Sequence, residues 1–316
     1  MHSLSFGPCL FGAMSTWLTP LWVVGAGATG ALVLLFVVST LLRLGAPKVA
    51  AIAQVTAKEG MSQPIFYVIL AIGAFALIVF PFVSYNTFGE DVKMLKAEGL
   101  TLIKVLAIVL ALWTASVSIA EEIEGRTALT LLSKPVSRRQ LILGKFLGIL
   151  VPVLIVFVIL GVLFLASVSY KVVYDARETA NPEPTTTDCL REMRQVTPGL
   201  GLAFMETVVL ASVSVAISTR LPMLPNLVIC MAIYVLGHLV PTLVVSAAGQ
   251  FPLVKFAGRF LAAVLPGLEH FSMETSISTG QFVPVLYMAV AGVYCVLYAG
   301  AALLLALLLF EERDLA

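Results

Sequence analysis

The chain has 316 residues, of which 60% are apolar and 12% are charged, and its mean hydropathy is +1.03. Water-soluble domains are about half apolar and about a quarter charged, so this composition excludes an ordinary globular enzyme and indicates an integral membrane protein. The 19 basic and 18 acidic residues leave a net charge of +1, which gives no electrostatic reason to expect nucleic acid as a partner.

Seven apolar runs are long enough to cross a membrane, since a spanning helix needs about 20 mostly apolar residues. In chain order they lie at 17–42, 65–85, 100–120, 146–169, 199–218, 225–247 and 284–310. The sequence therefore predicts an all-α, polytopic helical membrane protein.

The first run contains GAGATG at 25–30, which matches the letters of the dinucleotide fingerprint G-x-G-x-x-G. That fingerprint follows a strand and needs an acidic residue about 20 positions further on. Here the letters lie inside an apolar run, and the next acidic residue is Glu59. We therefore expect no cofactor at this segment, and we expect its small residues to let a neighbouring membrane helix approach closely.

A mixed segment at 48–62 follows the first run. Its apolar residues alternate irregularly with Lys48, Lys58 and Glu59, and Pro64 comes just after it. This pattern favours a helix lying in the membrane interface. Pro64 then starts the next span, where proline is well tolerated.

The segment 121–145 between the third and fourth runs reads EEIEGRTALTLLSKPVSRRQLILGK. Glu122 and Arg126 have the i, i+4 order that supports the end of a helix. Gly125 permits a sharp break after the span.

Residues 127–134 are predicted to form a short cytoplasmic helix of about two turns, which Pro135 ends. Ser137 and Gln140 then form a capping-box pattern that opens the next helix.

Three leucines of this short helix, Leu129, Leu131 and Leu132, would otherwise be left in water. Full burial stabilises a leucine side chain by about 1.5–3 kcal/mol, so we expect a protein partner to cover them. The alternative is an ordinary basic loop that only anchors two spans.

The distribution of Lys and Arg predicts the orientation. With 121–145 in the cytoplasm, the cytoplasmic pieces hold ten of the 19 basic residues, and the outer pieces hold eight over longer loops. This bias places the C-terminus in the cytoplasm and the N-terminus outside. The remaining residue, Lys104, lies close to the start of its span and is expected to snorkel.

Two predicted outer connections are longer than a turn. The stretch 170–198 has Pro and Thr clusters and few apolar residues, which predicts a loop or a small cap. The stretch 248–283 contains a short apolar piece broken by Pro266. That piece is too short to span and is predicted to be re-entrant or interfacial.

Two ionisable residues, Glu206 and His238, lie inside predicted spans. A charged carboxylate at the membrane centre costs about 2.5–3.5 kcal/mol, so Glu206 should face a helix interface or a wet cavity. Both residues are candidates for a translocation path. The alternatives are a hydrogen bond of Glu206 to Thr207 or a serine, and a structural role for His238, whose own helix carries no second ionisable residue.

The sequence predicts no catalytic residue, no metal site and no bound cofactor. The histidines His2, His238 and His270 are scattered, and no G-x-x-x-x-G-K-[ST] phosphate loop is present. Of the four cysteines, Cys9 and Cys189 could both face an oxidising compartment, and a disulfide between them is left open.

The string EEIEGRTALTLLSKPVSRRQLILGKFLG closely resembles the signature of permease subunits of ATP-binding-cassette transporters of type 2 (ABC-2). Further similarity lies in AIAQVTAKEGMSQPIFYV, FGEDVKMLKAEGL and LPGLEHF. The resemblance covers 48–310, so it implies an extra span at 1–47 and a six-span permease domain at 48–316. It also implies that 48–62 is the family's elbow helix and that 127–134 is its coupling helix.

By this resemblance, one set of residues couples the chain to an ATPase. They are Glu121, Glu122, Glu124, Gly125, Arg126, Thr127, Leu129, Leu131, Leu132, Pro135 and Arg138.

The resemblance also implies partners. They are cytoplasmic ATPase subunits, which bind the ATP and Mg, and a second permease copy or paralogue in a homodimer or heterodimer. The expected function is ATP-driven export across the cell (inner) membrane, in contact with membrane lipid. The alternative is a membrane-embedded scaffold or assembly protein without transport activity.

Overall fold

The structure is a computed structural model that describes most of the chain. The described residues are 16–83, 90–124, 137–178, 182, 184–245, 256, 258, 260–261 and 264–311. Within these ranges the regular structure is helical and contains no strand, which confirms the predicted all-α class.

Nine helices organise the described residues. They are α1 (Leu21–Gly45), α2 (Pro47–Ser62), α3 (Pro64–Val79), α4 (Asp91–Glu124), α5 (Arg138–Glu178), α6 (Thr186–Ser218), α7 (Met223–Val245), α8 (Glu274–Thr279) and α9 (Val285–Glu311). Short 3₁₀ turns lie at Phe80–Phe82 and Leu268–Phe271. Pro64 is the first residue of α3, as predicted.

Six helical stretches in the described part are long and apolar enough to cross a membrane. They coincide with the first five predicted runs and with the last one. The remaining predicted run, 225–247, is α7, where the apolar stretch Met223–Leu239 is shorter. The chain is therefore a multi-pass membrane protein.

Polar contacts between the two longest helices fix their relative direction. Asp91 at the start of α4 pairs with Lys171 near the end of α5. Ser118 near the end of α4 accepts a hydrogen bond from Lys145 near the start of α5. The two helices are therefore antiparallel, and we call the two ends of the bundle the Asp91 end and the Glu124 end.

The first helix is attached at the Asp91 end. The backbone carbonyl of Trp17, just before α1, accepts a hydrogen bond from Ser169 Oγ at 3.0 Å, and the Trp17 ring lies edge-on to Tyr170 with centroids 5.6 Å apart. Phe310 near the end of α9 lies at the Glu124 end, beside Arg138. Trp17 and Phe310 thus lie at opposite ends of the bundle. Which end faces the cytoplasm stays a prediction.

The glycines of α1 do not contact another helix within the described part of the chain. A Cβ atom added at Gly25, Gly27 or Gly30 would meet nothing within 4 Å, and α1 buries only Val24. The expected close approach by a neighbouring helix is therefore not present in the described residues.

Helix α2 has almost the predicted bounds of the 48–62 helix, and it packs along the first turns of α5. One face is buried, namely Val49, Ala50, Ala53, Thr56, Ala57 and Gly60. A Cβ atom added at Gly148 of α5 would lie 2.5 Å from Thr56 Cβ and 2.7 Å from the Ala53 carbonyl oxygen. Glycine is required there because the two backbones touch. The interfacial position of α2 stays a prediction.

The prediction of a loop or small cap over 170–198 is wrong for most of that stretch. α5 continues to Glu178, and α6 begins at Thr186. Thr185 and Asp188 form a capping box, with Thr185 N donating to Asp188 Oδ2 at 2.9 Å. Composition was misleading because Lys171, Glu192 and Gln195 in this stretch pair with residues of α4.

The described part of 248–283 packs against the bundle. Leu268 and Phe271 are buried, and a Cβ atom added at Gly237 of α7 would lie 2.9 Å from Leu268 Cδ1. Pro266 lies outside regular structure, as predicted. The re-entrant or interfacial character of the apolar piece stays a prediction, since residues 254–255, 257, 259 and 262–263 of it lie outside the described residues.

Candidate functional site

The predicted coupling segment is only partly described. Glu121, Glu122 and Glu124 form the last turn of α4, and Arg138 opens α5. The other predicted coupling residues, from Gly125 to Pro135, lie outside the described residues, as does the helix predicted at 127–134.

The start of α5 is fixed by two local contacts. Ser137 N donates to Gln140 Oε1 at 3.1 Å, and Gln140 N donates to Ser137 Oγ at 3.3 Å, which confirms the predicted capping box. The Arg138 guanidinium lies 5.8 Å from the centroid of the Phe310 ring, a cation–π distance.

A buried lysine ties the end of α4 to the start of α5. Lys145 Nζ donates to the Ser118 carbonyl at 2.8 Å and to Ser118 Oγ at 2.9 Å. The two helices that flank the undescribed segment are therefore bonded to each other.

The most unusual site in the bundle is a charge cluster made by three different helices. Glu206 of α6 is fully buried. Lys104 Nζ of α4 lies 3.3 Å from its Oε2, and His238 Nε2 of α7 lies 3.4 Å from its Oε1. The lysine and histidine side chains retain 14% and 29% exposure, so the carboxylate is the interior member and the two nitrogen groups flank it.

Tyr234 joins the two flanking groups. Lys104 Nζ lies 5.8 Å from the centroid of the Tyr234 ring, and the Tyr234 and His238 rings are 4.8 Å apart. His238 Nδ1 lies 3.1 Å from the backbone carbonyl of Tyr234. One turn of α7 therefore carries both the histidine that faces Glu206 and the aromatic ring that faces Lys104.

Helix geometry places this cluster well inside the bundle when it is measured from the Glu124 end. At 1.5 Å per residue, Glu206 is about 18 Å from the end of α6, and His238 is about 22 Å from the start of α7. Lys104 is about 30 Å from the end of α4 at Glu124 on the same basis. An ionisable cluster within apolar, membrane-type helices is typical of a functional site in a membrane protein.

A second polar layer lies nearer the Glu124 end of the same three helices. Asn226 Nδ2 of α7 is 2.7 Å from Ser116 Oγ, 2.8 Å from Ser214 Oγ and 2.9 Å from Ser218 Oγ. Cys230 Sγ donates to Asn226 Oδ1 at 3.3 Å. This layer gives the buried amide partners on α4 and α6, as burial of a polar group requires.

An apolar layer separates the two polar ones. It contains Ile108 and Leu112 of α4, Val209 and Leu210 of α6, and Cys230 of α7. Asn226, Cys230, Tyr234 and His238 follow one another at i, i+4 spacing, so a single stripe of α7 contributes to all three layers. We call the line along which α4, α6 and α7 meet the seam. It is closed by apolar side chains that lie between the two polar layers.

Further polar contacts join the helices at the Asp91 end. Buried Lys96 of α4 forms an ion pair with Glu192 of α6, and its Nζ donates to Gln195 Oε1 at 2.7 Å. Gln195 Nε2 in turn donates to the Ser276 carbonyl of α8 at 3.2 Å. These bonds hold α8 across α4 and α6.

The carboxylates of Asp91, Asp175 and Glu178 lie close enough together to hold a metal ion, with ligand atoms within 4.8 Å of one another. Lys171 Nζ, however, lies 3.3 Å from Asp91 Oδ2 and is fully buried. An ammonium already supplies positive charge at this site, so we interpret the cluster as structural.

Among the cysteines of the described residues, Cys189, Cys230 and Cys295 are free and buried. Cys9 lies outside the described residues, so the question of its pairing with Cys189 stays open.

Both residues predicted for a translocation path, Glu206 and His238, therefore meet in one cluster. Sequence analysis missed the Lys104 partner, because its ammonium lies beside Glu206, and the predicted snorkelling stays a prediction. The signal that could have found this pair is the opposite charge of two residues that each lie inside a predicted span.

Comparison with known proteins gives one result. The sequence model described as ABC-2 family transporter protein matches residues 31–315. No curated protein matches the chain.

Proposed function

This chain belongs to the family of ABC-2 transporter proteins, and we propose that it is the membrane subunit of an ATP-driven exporter. The chain supplies the transmembrane permease, and cytoplasmic ATPase subunits bind ATP and Mg and hydrolyse the nucleotide. A second copy or a paralogue completes the assembly in the cell (inner) membrane, with the N-terminus outside and the C-terminus in the cytoplasm. The observation that carries the proposal is the family match over residues 31–315.

The coupling step takes place between the end of α4 and the start of α5. The segment 127–134 docks on the ATPase through Leu129, Leu131 and Leu132, whose burial is favourable. Support comes from its two flanks, which Lys145 and Ser118 bond to each other. A displacement of the segment therefore moves both helices together.

The path for cargo runs along the junction of α4, α6 and α7. α4 is one continuous helix from Lys104 to Glu124, so a push at its cytoplasmic end reaches the Lys104–Glu206 ion pair about 30 Å away. Movement of α4 past α6 breaks that ion pair and opens the seam. Glu206 and His238 then become accessible to cargo.

The experiment is purification of the tagged chain after co-expression with a candidate ATPase, with co-elution and vanadate-sensitive ATP hydrolysis as readouts. Leu131→Asp puts a carboxylate on the proposed docking face and should abolish co-elution while the chain still inserts in the membrane. Thr130→Asp is the matched control, because it adds the same charge to the same segment without removing a leucine.

Normal co-elution of the Leu131→Asp variant would contradict the docking role. A folded wild-type chain that never acquires ATPase would instead favour the scaffold function.

A further inference from the structure

The hydrogen-bond geometry of His238 determines where one of its protons lies. Nδ1 is 3.1 Å from the backbone carbonyl of Tyr234. A carbonyl oxygen only accepts hydrogen bonds, so Nδ1 is the donor and carries a proton. A neutral ring in this tautomer has a lone pair on Nε2.

That second nitrogen faces Glu206. Nε2 lies 3.4 Å from Glu206 Oε1, and neither atom has a hydrogen-bond partner among the described residues. If the acid were ionised and the ring neutral, a lone pair would face a carboxylate oxygen in a fully buried site, which is unfavourable. One additional proton on either atom removes that repulsion.

We propose that Glu206 and His238 together form a proton-binding site that joins α6 to α7. The bound proton is taken from the aqueous phase and lies between Nε2 and Oε1. The site is either an imidazolium facing a carboxylate or a neutral imidazole facing a carboxylic acid, and the two forms differ only in which atom carries the proton.

The other titratable groups near the site face elsewhere, so none of them places a proton between Nε2 and Oε1. Lys104 of α4 faces the other carboxylate oxygen, Oε2, and Tyr234 of α7 contributes its ring and its carbonyl. In the 3₁₀ turn that packs on α7, Glu269 is exposed and the His270 ring faces Tyr294.

The nearby tyrosine hydroxyls of α9 are also engaged elsewhere. Tyr294 Oη accepts from Gly267 N at 2.9 Å, and Tyr298 Oη donates to the Val264 carbonyl at 3.2 Å.

The proton has a structural consequence. With it, the contact between α6 and α7 is attractive, and the cluster of Lys104, Glu206 and His238 has a charge of +1. Without it, the cluster is neutral and the α6–α7 contact is repulsive at this point. His238 retains 29% exposure, which leaves the proton a route to and from the site. This inference does not depend on the proposed exporter function, because the site is complete in the single chain.

The test uses the full-length chain, labelled with ¹⁵N-histidine and reconstituted in lipid nanodiscs without any ATPase. The chain has three histidines, so His2→Gln and His270→Gln variants assign the ring signals. At neutral pH we expect one of two results. Either both nitrogens of His238 are protonated, or Nδ1 alone is protonated and the infrared spectrum shows a protonated carboxylic acid. In the second case Glu206→Gln should remove the carboxylic acid band.

Glu206→Gln is also the conservative control. Its amide donates to Nε2 without an extra proton, so the His238 ring should become neutral with its proton on Nδ1. The melting temperature of the wild-type chain should fall as rising pH removes the shared proton, whereas that of Glu206→Gln should stay level.

A neutral His238 facing an ionised Glu206 in the wild-type chain would overturn the proposal, whichever nitrogen carries the ring proton. The wild-type spectrum alone decides this, so a poorly folding variant does not prevent the test. Failure here leaves the exporter proposal untouched, since ATPase co-elution is measured separately.

Discussion

Lys104 and Glu206 form an ion pair between α4 and α6 although they are about a hundred residues apart in the chain, with Nζ 3.3 Å from Oε2. Glu206 is fully buried, and Lys104 retains 14% exposure. The lysine ammonium therefore compensates charge on a carboxyl group that has lost its contact with water.

Lys104→Met should destabilise the chain strongly, because it removes the ammonium beside the buried Glu206 carboxyl group and leaves that group only its contact with His238 among the described residues. Removing one partner of a buried ion pair costs about 3–5 kcal/mol. The measurement is the free energy of unfolding in mixed micelles, together with the yield of folded protein.

The matched variants for this test are Lys93→Met and the double variant Lys104→Met/Glu206→Gln. Lys93 forms an exposed pair with Glu90, which is worth about 1 kcal/mol or less. The double variant should recover most of the lost stability, since the buried carboxyl group is removed together with its lysine partner. Equal losses in the single and double variants would contradict the role of the ion pair.

Asn226→Ala should weaken the junction of α4, α6 and α7 by about 1–2 kcal/mol, because hydrogen bonds between membrane helices average about 0.6 kcal/mol each. The Nδ2 group contacts serine hydroxyls on two other helices. The free energy of unfolding reports the change. Thr29→Ala is the control, because that hydroxyl bonds only to Ala26 of its own helix, and a loss no larger than in this control would refute the prediction.

Gly148→Ala should separate α2 from α5 and lower the stability of the chain by about 1–3 kcal/mol, the usual range for overpacking. The new methyl group would meet the Ala53 carbonyl oxygen at 2.7 Å, and a backbone atom cannot turn aside. Thermal melting in detergent measures the effect. Gly30→Ala, in open space on α1, should be neutral or slightly stabilising because alanine favours helices, so similar melting curves for both variants would disprove the packing argument.

Helix positions were predictable from sequence because apolar runs of membrane length have few alternatives. The capping box at Ser137 and Gln140 was also predictable, since it depends only on neighbours three residues apart. In contrast, the loop predicted over 170–198 was wrong. Lys171, Glu192 and Gln195 in this stretch find partners on other helices, and local composition does not reveal such partners.

The charge cluster shows the same limit at the candidate site. Glu206 and His238 were each recognisable as costly residues inside a span, but their meeting with Lys104 depends on how three helices are arranged. The contacts of Lys104 with Glu206 and of Ser116 with Asn226 connect residues more than a hundred positions apart, and no pattern within one helix encodes them.

The uninterrupted length of α5 has a consequence for imaging. Its 41 residues extend about 60 Å at 1.5 Å per residue, whereas the hydrocarbon layer is about 30 Å thick. Even at a tilt of about 40°, the upper end for membrane helices, roughly a third of the helix stands outside the hydrocarbon layer. Particles of this chain in electron cryo-microscopy should therefore show rigid density for the end of α5 beyond the detergent belt. That density would help to align images of a small protein that is mostly embedded in detergent.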